Sequence, residues 1–312
     1  MQRREPHEAC LNAGTTCWHR LTSDGLACST ACSAAAPTGR DDRRLAVSNP
    51  PARRLSGSRT LIPTWGRRRI PPRRGSQTLI VGTAVVSLWS TQPDALAANA
   101  HLVAESAPGR LALGVGVSHQ PLVEAAGVTF DQPQRRLERF MDELNSVLDR
   151  SLLAATLVGA NGPKALAASC RQASGAVPYL VTVEHTRRAR SIMSAESLLA
   201  PVVKVVAETD PLIARSIARR RLAFYWTLPN YVSSMRRVGF EDSDFVDGGS
   251  DRLVDAVCAW GDPDQIAERL HEHQAAGADH VSIHLLRTDA DDPTDRWCSV
   301  IEAFHSAATA LS

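Results

Sequence analysis

Gly159-Ala160-Asn161-Gly162-Pro163-Lys164 is the stretch whose residue types and spacing say most about chemistry. It follows an apolar run and opens a helix, with proline suited to the first turn, so free backbone N–H groups face whatever precedes the helix. Such an end is a seat for an anion; the same residues also make a good helix start with no ligand. Ala173-Ser174-Gly175 opens the next strand, and the turn before Gly175 could add N–H donors. His119 closes the glycine-rich run that begins at Gly109. Imidazole titrates near neutrality and can serve as acid or base, although a lone loop histidine is often incidental. Within that run, Gly114-Val115-Gly116 lets backbone approach a flat ring or substrate closely, or packs a tight interior.

Metal chemistry finds less support. Cys10, Cys17, Cys28 and Cys32 have His7 and His19 nearby, but no pair has the two-residue spacing of a zinc knuckle. No metal is assigned, and unpaired thiols in a reducing compartment are the plain reading.

The elements that must position these groups alternate. Thr78–Val86 is β-branched and apolar, and residues 92–107 have helical spacing with Pro93 near the first turn. Arg110–Val117 is a second apolar run, and residues 134–148 form a strongly amphipathic helix. Strands are expected again at Leu152–Val158, Ala176–Val181, Pro201–Val206 and His280–Leu286. Helices are expected from Pro163, from Glu184, over residues 211–226, 251–259 and 263–276, and from about Pro293 to Leu311. Strand then helix, six times, means parallel α/β architecture, either an open doubly wound sheet or a closed barrel. The ordered part approaches the roughly 250 residues of a barrel, yet only six strands are visible.

The first quarter differs from the rest. Residues 1–75 carry 14 Arg and no Lys against 5 acidic residues, a net +9, whereas residues 76–312 carry 21 cationic and 28 acidic side chains, a net −7. Arg pairs and Pro50-Pro51 and Pro71-Pro72 break the apolar residues into ones and twos, so this segment is expected to be mostly disordered. A shifted reading frame or a misassigned start would produce such a composition. A basic arm for nucleic acid would need clustered cations with aromatic platforms, and only Trp65 offers one, so no nucleic-acid partner is assigned. No apolar run approaches the roughly 18 residues of a membrane span. A soluble, cytoplasmic protein is the default expectation.

Three motifs in order carry a resemblance. Gly82-Thr83-Ala84-Val85-Val86 ends a strand, Gly109–His119 forms the next strand and its loop, and Gly159–Lys164 begins a helix before Ser174-Gly175. Together with Val177-Pro178-Tyr179-Leu180-Val181-Thr182-Val183-Glu184-His185-Thr186, Leu228-Pro229-Asn230-Tyr231 and Gly249-Ser250-Asp251-Arg252-Leu253-Val254-Asp255, they resemble the luciferase-like monooxygenase superfamily, specifically its coenzyme F420-dependent branch. The combination is specific, although each glycine motif alone is weak.

That resemblance implies a (β/α)8 TIM barrel over residues 76–312, with the first visible strand as strand three and the first two βα units not recognisable. It implies an oxidoreductase that transfers hydride to or from a small organic substrate with coenzyme F420. An FMN-dependent monooxygenase using molecular oxygen is the alternative, and a catalytically inactive, truncated remnant is a second. The family often places a non-proline cis peptide where Ala84–Val85 stands, supporting the cofactor ring. Gly159, Asn161, Gly162 and Gly175 fall near the cofactor phosphate. His119 falls where related dehydrogenases carry a carboxylate near the substrate, and is the catalytic candidate. Trp89 could wall the cavity or simply pack. Tyr179 and His185 fall near the phosphates, Pro229-Asn230-Tyr231 near a lid or substrate pocket, and many relatives pair as homodimers.

Overall fold

The computed structural model describes residues 15–19, 79–286, 300 and 303. Strands Leu79–Thr83 (β2), Leu111–Gly116 (β4), Ala155–Val158 (β5), Gly175–Ala176 (β6) and Leu198–Leu199 (β7) lie side by side in that order, each parallel to the next. The short strand Val86–Ser87 (β3) also pairs with β4. In a second sheet, Val202–Val206 (β8) is flanked in parallel by Cys258–Trp260 (β9) and Ser282–Leu285 (β10). A parallel bridge between Tyr179 and Val202 joins the two.

The sheet curls rather than staying open. Ile80, Ala112, Leu157, Val177, Ala200 and Val202 are buried and form one cluster, although they come from successive strands and their extensions. Residues from β2 and β8 can share an interior layer only if the sheet wraps around them. The alternate residues Val203 and Val205 point the other way, against Ile266, Ala267 and Leu270 of the helix Pro263–Ala275.

The strand Thr15–His19 (β1) falls within the segment that composition reads as mostly disordered. These five residues pair antiparallel with β2, from Thr15 opposite Thr83 to His19 opposite Leu79. The same strand lies beside β10. It stands in the gap between the first and last parallel strands, but it runs the opposite way and so is not one of the two βα units that the resemblance places before β2. The rest of residues 1–75 lies outside the described residues, as do the side chains of Cys10, Cys17, Cys28 and Cys32.

Proline starts most helices: Pro93–Ser106 (α1), Pro133–Val147, Pro163–Gln172, Pro211–Leu222, Pro229–Arg236 and Pro263–Ala275. Its missing N–H costs nothing at the first turn and its fixed φ suits the helix. Side chains complete several starts: Thr182 accepts from the His185 N–H, Asp210 from Leu212 and Ile213, Ser250 from Leu253, and Asp262 with Gln265 forms a capping box. The helix 133–147 buries Leu137, Phe140, Met141 and Leu144, the i, i+3, i+4, i+7 stripe its sequence shows, and packs on α1.

One expectation is corrected at residues 251–259. The helix ends at Val257, and Cys258-Ala259-Trp260 turns into β9. The expected closing helix is described only at Val300 and Ala303, both helical; its remainder lies outside the described residues. No helix among the described residues is long and apolar enough to cross a membrane.

Asp244 pins the segment that leads into the helix 251–257. Its carboxylate accepts from the Glu241 N–H (2.9 Å) and the Ser250 hydroxyl (2.6 Å) and pairs with Arg252. The Arg252 guanidinium is the largest cause that holds this carboxyl down to about 2. Asp244→Ala is expected to cost about 2 kcal/mol at pH 7, since it strands three donors. Because the folded-state value is depressed, that stabilisation is full above about pH 4 and fades as the pH falls toward 2. Urea midpoints of both proteins from pH 7 to pH 3 should therefore converge at the acid end.

Candidate functional site

The Ala84–Val85 peptide is cis, directly after β2. Three glycines make room for the chain on either side of this bond. A Cβ on Gly114 would sit 2.1 Å from the Thr83 carbonyl oxygen, one on Gly116 2.5 Å from Val85 Cγ2, and one on Gly159 3.2 Å from Val85 Cγ1. The Thr83 hydroxyl donates to the Gly114 carbonyl and accepts from its N–H, both at 2.9 Å. Val85 is therefore seated against the side-chain-free ends of β4 and β5, yet remains 38% exposed. An apolar residue presented this way at the C-terminal edge of parallel strands is where barrels carry ligands.

Four residues past Gly159 the helix Pro163–Gln172 begins, and no side chain caps it. Its N-cap, Gly162, has the Arg237 guanidinium nearby, with Nη2 3.9 Å from where a Cβ would stand. Uncapped N–H groups beside a cation suit an anion. The Asn161 side chain is already used. Its Nδ2 donates to the Tyr179 carbonyl (2.8 Å) and its Oδ1 accepts from the Tyr179 N–H (3.0 Å), while its own carbonyl accepts from His185 Nε2 at 2.8 Å. Burial lowers the His185 pKa, so the ring is a neutral donor there. The Asn161 amide thus shapes the loop, and His185 holds it through Nε2 while its Nδ1 has no partner among the described residues.

Gly159, Asn161 and Gly162 come together; Gly175 does not join them. Gly175 pairs with Leu157, level with the middle of β5, whereas Asn161 is level with Tyr179. Four residues of extended chain, at roughly 3.3 Å each, separate the two levels. This register sets Gly175 below the level of the Gly159–Gly162 loop. Its lack of a side chain answers to the neighbouring strand, because a Cβ would sit 1.9 Å from the Leu198 carbonyl oxygen.

His119 is the N-cap of the helix Gln120–Ala125, half-buried, with its ring 5.3 Å from that of Tyr231. Burial lowers its pKa, and a hydrogen bond with the Asn230 side chain partly offsets this. Its Nδ1 is buried with no partner among the described residues. Pro229-Asn230-Tyr231 therefore meets His119. Trp89 donates to the Val117 carbonyl (2.6 Å), packs tilted against Phe130 and lies under the Arg136 guanidinium, which ties down the segment before His119.

The largest group absent from the sequence reading is Lys204. It sits on β8 in Val202-Val203-Lys204-Val205-Val206 and is 2% exposed. Its ammonium donates to the Tyr179 hydroxyl, lies 3.2 Å from His284 Nδ1, and rests over the rings of Tyr179 and Tyr225. The Tyr179 hydroxyl also meets Tyr225 Oη and His284 Nδ1, both at 3.1 Å. Tyr231 completes the cluster, 5.2 Å from Tyr225 and 6.3 Å from Tyr179 between centroids. A single cation inside an apolar strand, with tyrosines at 179, 225 and 231, is the signal the sequence offers. No group of three or more His, Cys, Asp or Glu that could hold a metal ion occurs among the described residues.

The family model described as luciferase-like monooxygenase matches residues 75–280. No curated protein matches the chain. Among solved structures, a coenzyme F420-dependent tetrahydromethanopterin reductase from Methanopyrus kandleri is similar at 15% identity, covering 71% of this chain and 80% of that one with a TM-score of 0.53. An F420-dependent secondary alcohol dehydrogenase, solved with an F420-acetone adduct, is similar at 13% identity over 72% and 78%, TM-score 0.54. The monooxygenase RslO1 from Streptomyces bottropensis is similar at 18% identity over 72% and 76%, TM-score 0.50. At these identities the likeness is one of fold.

Proposed function

Since the chain belongs to the luciferase-like monooxygenase family of oxidoreductases, we propose that it binds coenzyme F420 and moves hydride to or from a small carbonyl compound, alcohol or activated alkene. The observation that carries this reading is the exposed Val85, seated on Gly116 and Gly159, beside the uncapped helix start at Gly162. A flat ring that carries its phosphate on a side chain needs an apolar support with no side chain above it and an anion seat beyond the ring. These residues fit both needs. The choice of F420 over FMN rests on the motif combination from Gly82 to Asp255, and FMN remains the alternative occupant.

Bound there, the deazaflavin would supply the hydride-exchanging carbon. Val85 would support the ring, and the N–H groups after Gly162, with Arg237, would hold the phosphate. His119 is neutral near pH 7 because burial lowers its pKa, and its unpartnered Nδ1 can hold or exchange one proton beside the platform. Asn230 fixes the imidazole and Tyr231 covers it.

Titrating the purified chain with F420 and, separately, with FMN while monitoring the visible bands tests the reading. A saturable one-to-one shift with F420 is the expected result. A shift with FMN alone replaces the reading with a flavin monooxygenase, and no shift with either, from an aggregating chain, replaces it with an inactive remnant. Gly116→Ala is expected to weaken F420 binding by about tenfold or more, since its Cβ displaces Val85. Unchanged affinity would remove Val85 from the site.

A further inference from the structure

Lys204 is buried with no carboxylate partner among the described residues, which is a costly place for a cation. Tyr179, Tyr225 and His284 surround the amine, Cys258, paired with it on β9, weakly favours its charge, and Arg221 opposes it. Burial is the largest cause that brings the amine down to about 7. Burial also raises the phenol of Tyr179 far above its ordinary range, so Tyr179 stays protonated. The amine is the titrating member and the phenol a conduit, with Tyr225 Oη and His284 Nδ1 each 3.1 Å beyond it. His284 is exposed and opens the chain of hydrogen bonds to solvent.

We infer that Lys204 and Tyr179 form a proton-transfer pair that takes up the proton an alcohol releases from its oxygen, the reverse step serving carbonyl reduction. The inference rests on the hydride-transfer reading above. In the oxidising direction the substrate C–H bond breaks with its electron pair, which passes as hydride to oxidised F420. The substrate O–H proton passes to Tyr179 Oη as the Tyr179 proton passes to neutral Lys204. The substrate leaves as a carbonyl compound, Lys204 becomes an ammonium, and its proton leaves to water past His284. Lys204 acts through Tyr179 and is a positioning residue. Oxidation requires it neutral and reduction requires it charged.

The chain has only two lysines, Lys164 and Lys204, so lysine labelled with ¹³C at Cε gives two resonances, and Lys204→Met assigns them. The expected result is one ordinary titration and one midpoint near 7, the latter falling in Tyr179→Phe because the ammonium loses its acceptor. A Lys204 midpoint above about 9, or one unmoved by Tyr179→Phe, overturns the pair. A midpoint carried into the ordinary lysine range by added acetate or phosphate overturns it too, and makes Lys204 an anion anchor. In the holoenzyme with 2-propanol and oxidised F420, turnover should rise about tenfold from pH 5.5 to pH 6.5 and level off above the midpoint. A flat profile in an active enzyme overturns the pair. Absence of turnover with the Lys204 titration as expected overturns hydride transfer from 2-propanol, and with it the proposed role of the pair, while the amine–phenol hydrogen bond stands.

Discussion

Gly175→Ala is expected to abolish folding or to cost more than about 4 kcal/mol. The added Cβ would stand 1.9 Å from the Leu198 carbonyl oxygen, 2.6 Å from its nitrogen and 2.7 Å from its carbonyl carbon. All three are backbone atoms of the paired strand, so no rotamer change relieves the overlap. β6 and β7 would have to separate where Leu198 N–H donates to the Ser174 carbonyl at 2.8 Å. Overpacking that can relax typically costs about 1–3 kcal/mol, and this one cannot. Gly109→Ala is the contrasting case. Gly109 has φ +67° and nothing within 4 Å of a new Cβ, so its cost is the conformational one of about 1 kcal/mol. Denaturant melts of the two variants should differ by several kcal/mol; a Gly175→Ala protein as stable as Gly109→Ala would refute the strand pairing.

Lys204→Met is expected to stabilise the protein, and to do so mainly below neutral pH. The amine goes from about 10.5 in the unfolded chain to about 7 here, with burial the main cause. Between those values the unfolded chain binds the extra proton, so wild-type stability rises with pH across that window and the burial penalty is full below it. At about 1.36 kcal/mol per pKa unit the penalty approaches 5 kcal/mol, and losing the hydrogen bond to Tyr179 takes back about 1 kcal/mol. Methionine should therefore gain about 3 kcal/mol or more at pH 6 and little at pH 10. Equal gains at both pH values would show that lysine is not the titrating group.

Much of this architecture is legible in the chain. The run Arg110–Val117 becomes β4 because each of its residues from Leu111 to Gly116 is buried on both faces of a parallel sheet. The stripe of Leu137, Phe140, Met141 and Leu144 becomes a helix for the same kind of reason. Misreadings cluster where period carries no information. β3, β6 and β7 have two residues each, too few to show any alternation. Cys258-Ala259-Trp260 continues the apolar spacing of the helix before it, and only pairing with β8 makes it a strand. At the site, glycine marks a close approach without saying to what. Gly116 and Gly159 face Val85, and Gly175 faces a neighbouring backbone. Lys204 escapes notice because one charge in a valine strand reads as an exposed edge until the tyrosines around it are placed.

The Asn161 amide reads both the N–H and the carbonyl of Tyr179, while its own carbonyl is held by His185. Two loops that end neighbouring strands therefore move as one piece. Whatever stiffens the stretch from Gly159 to Pro163 would also steady Tyr179, and by reciprocity a molecule that immobilises Tyr179 would favour an anion at the helix end beside Gly162. Such linkage has no preferred direction: whichever guest arrives first would lower the entropic cost for the other.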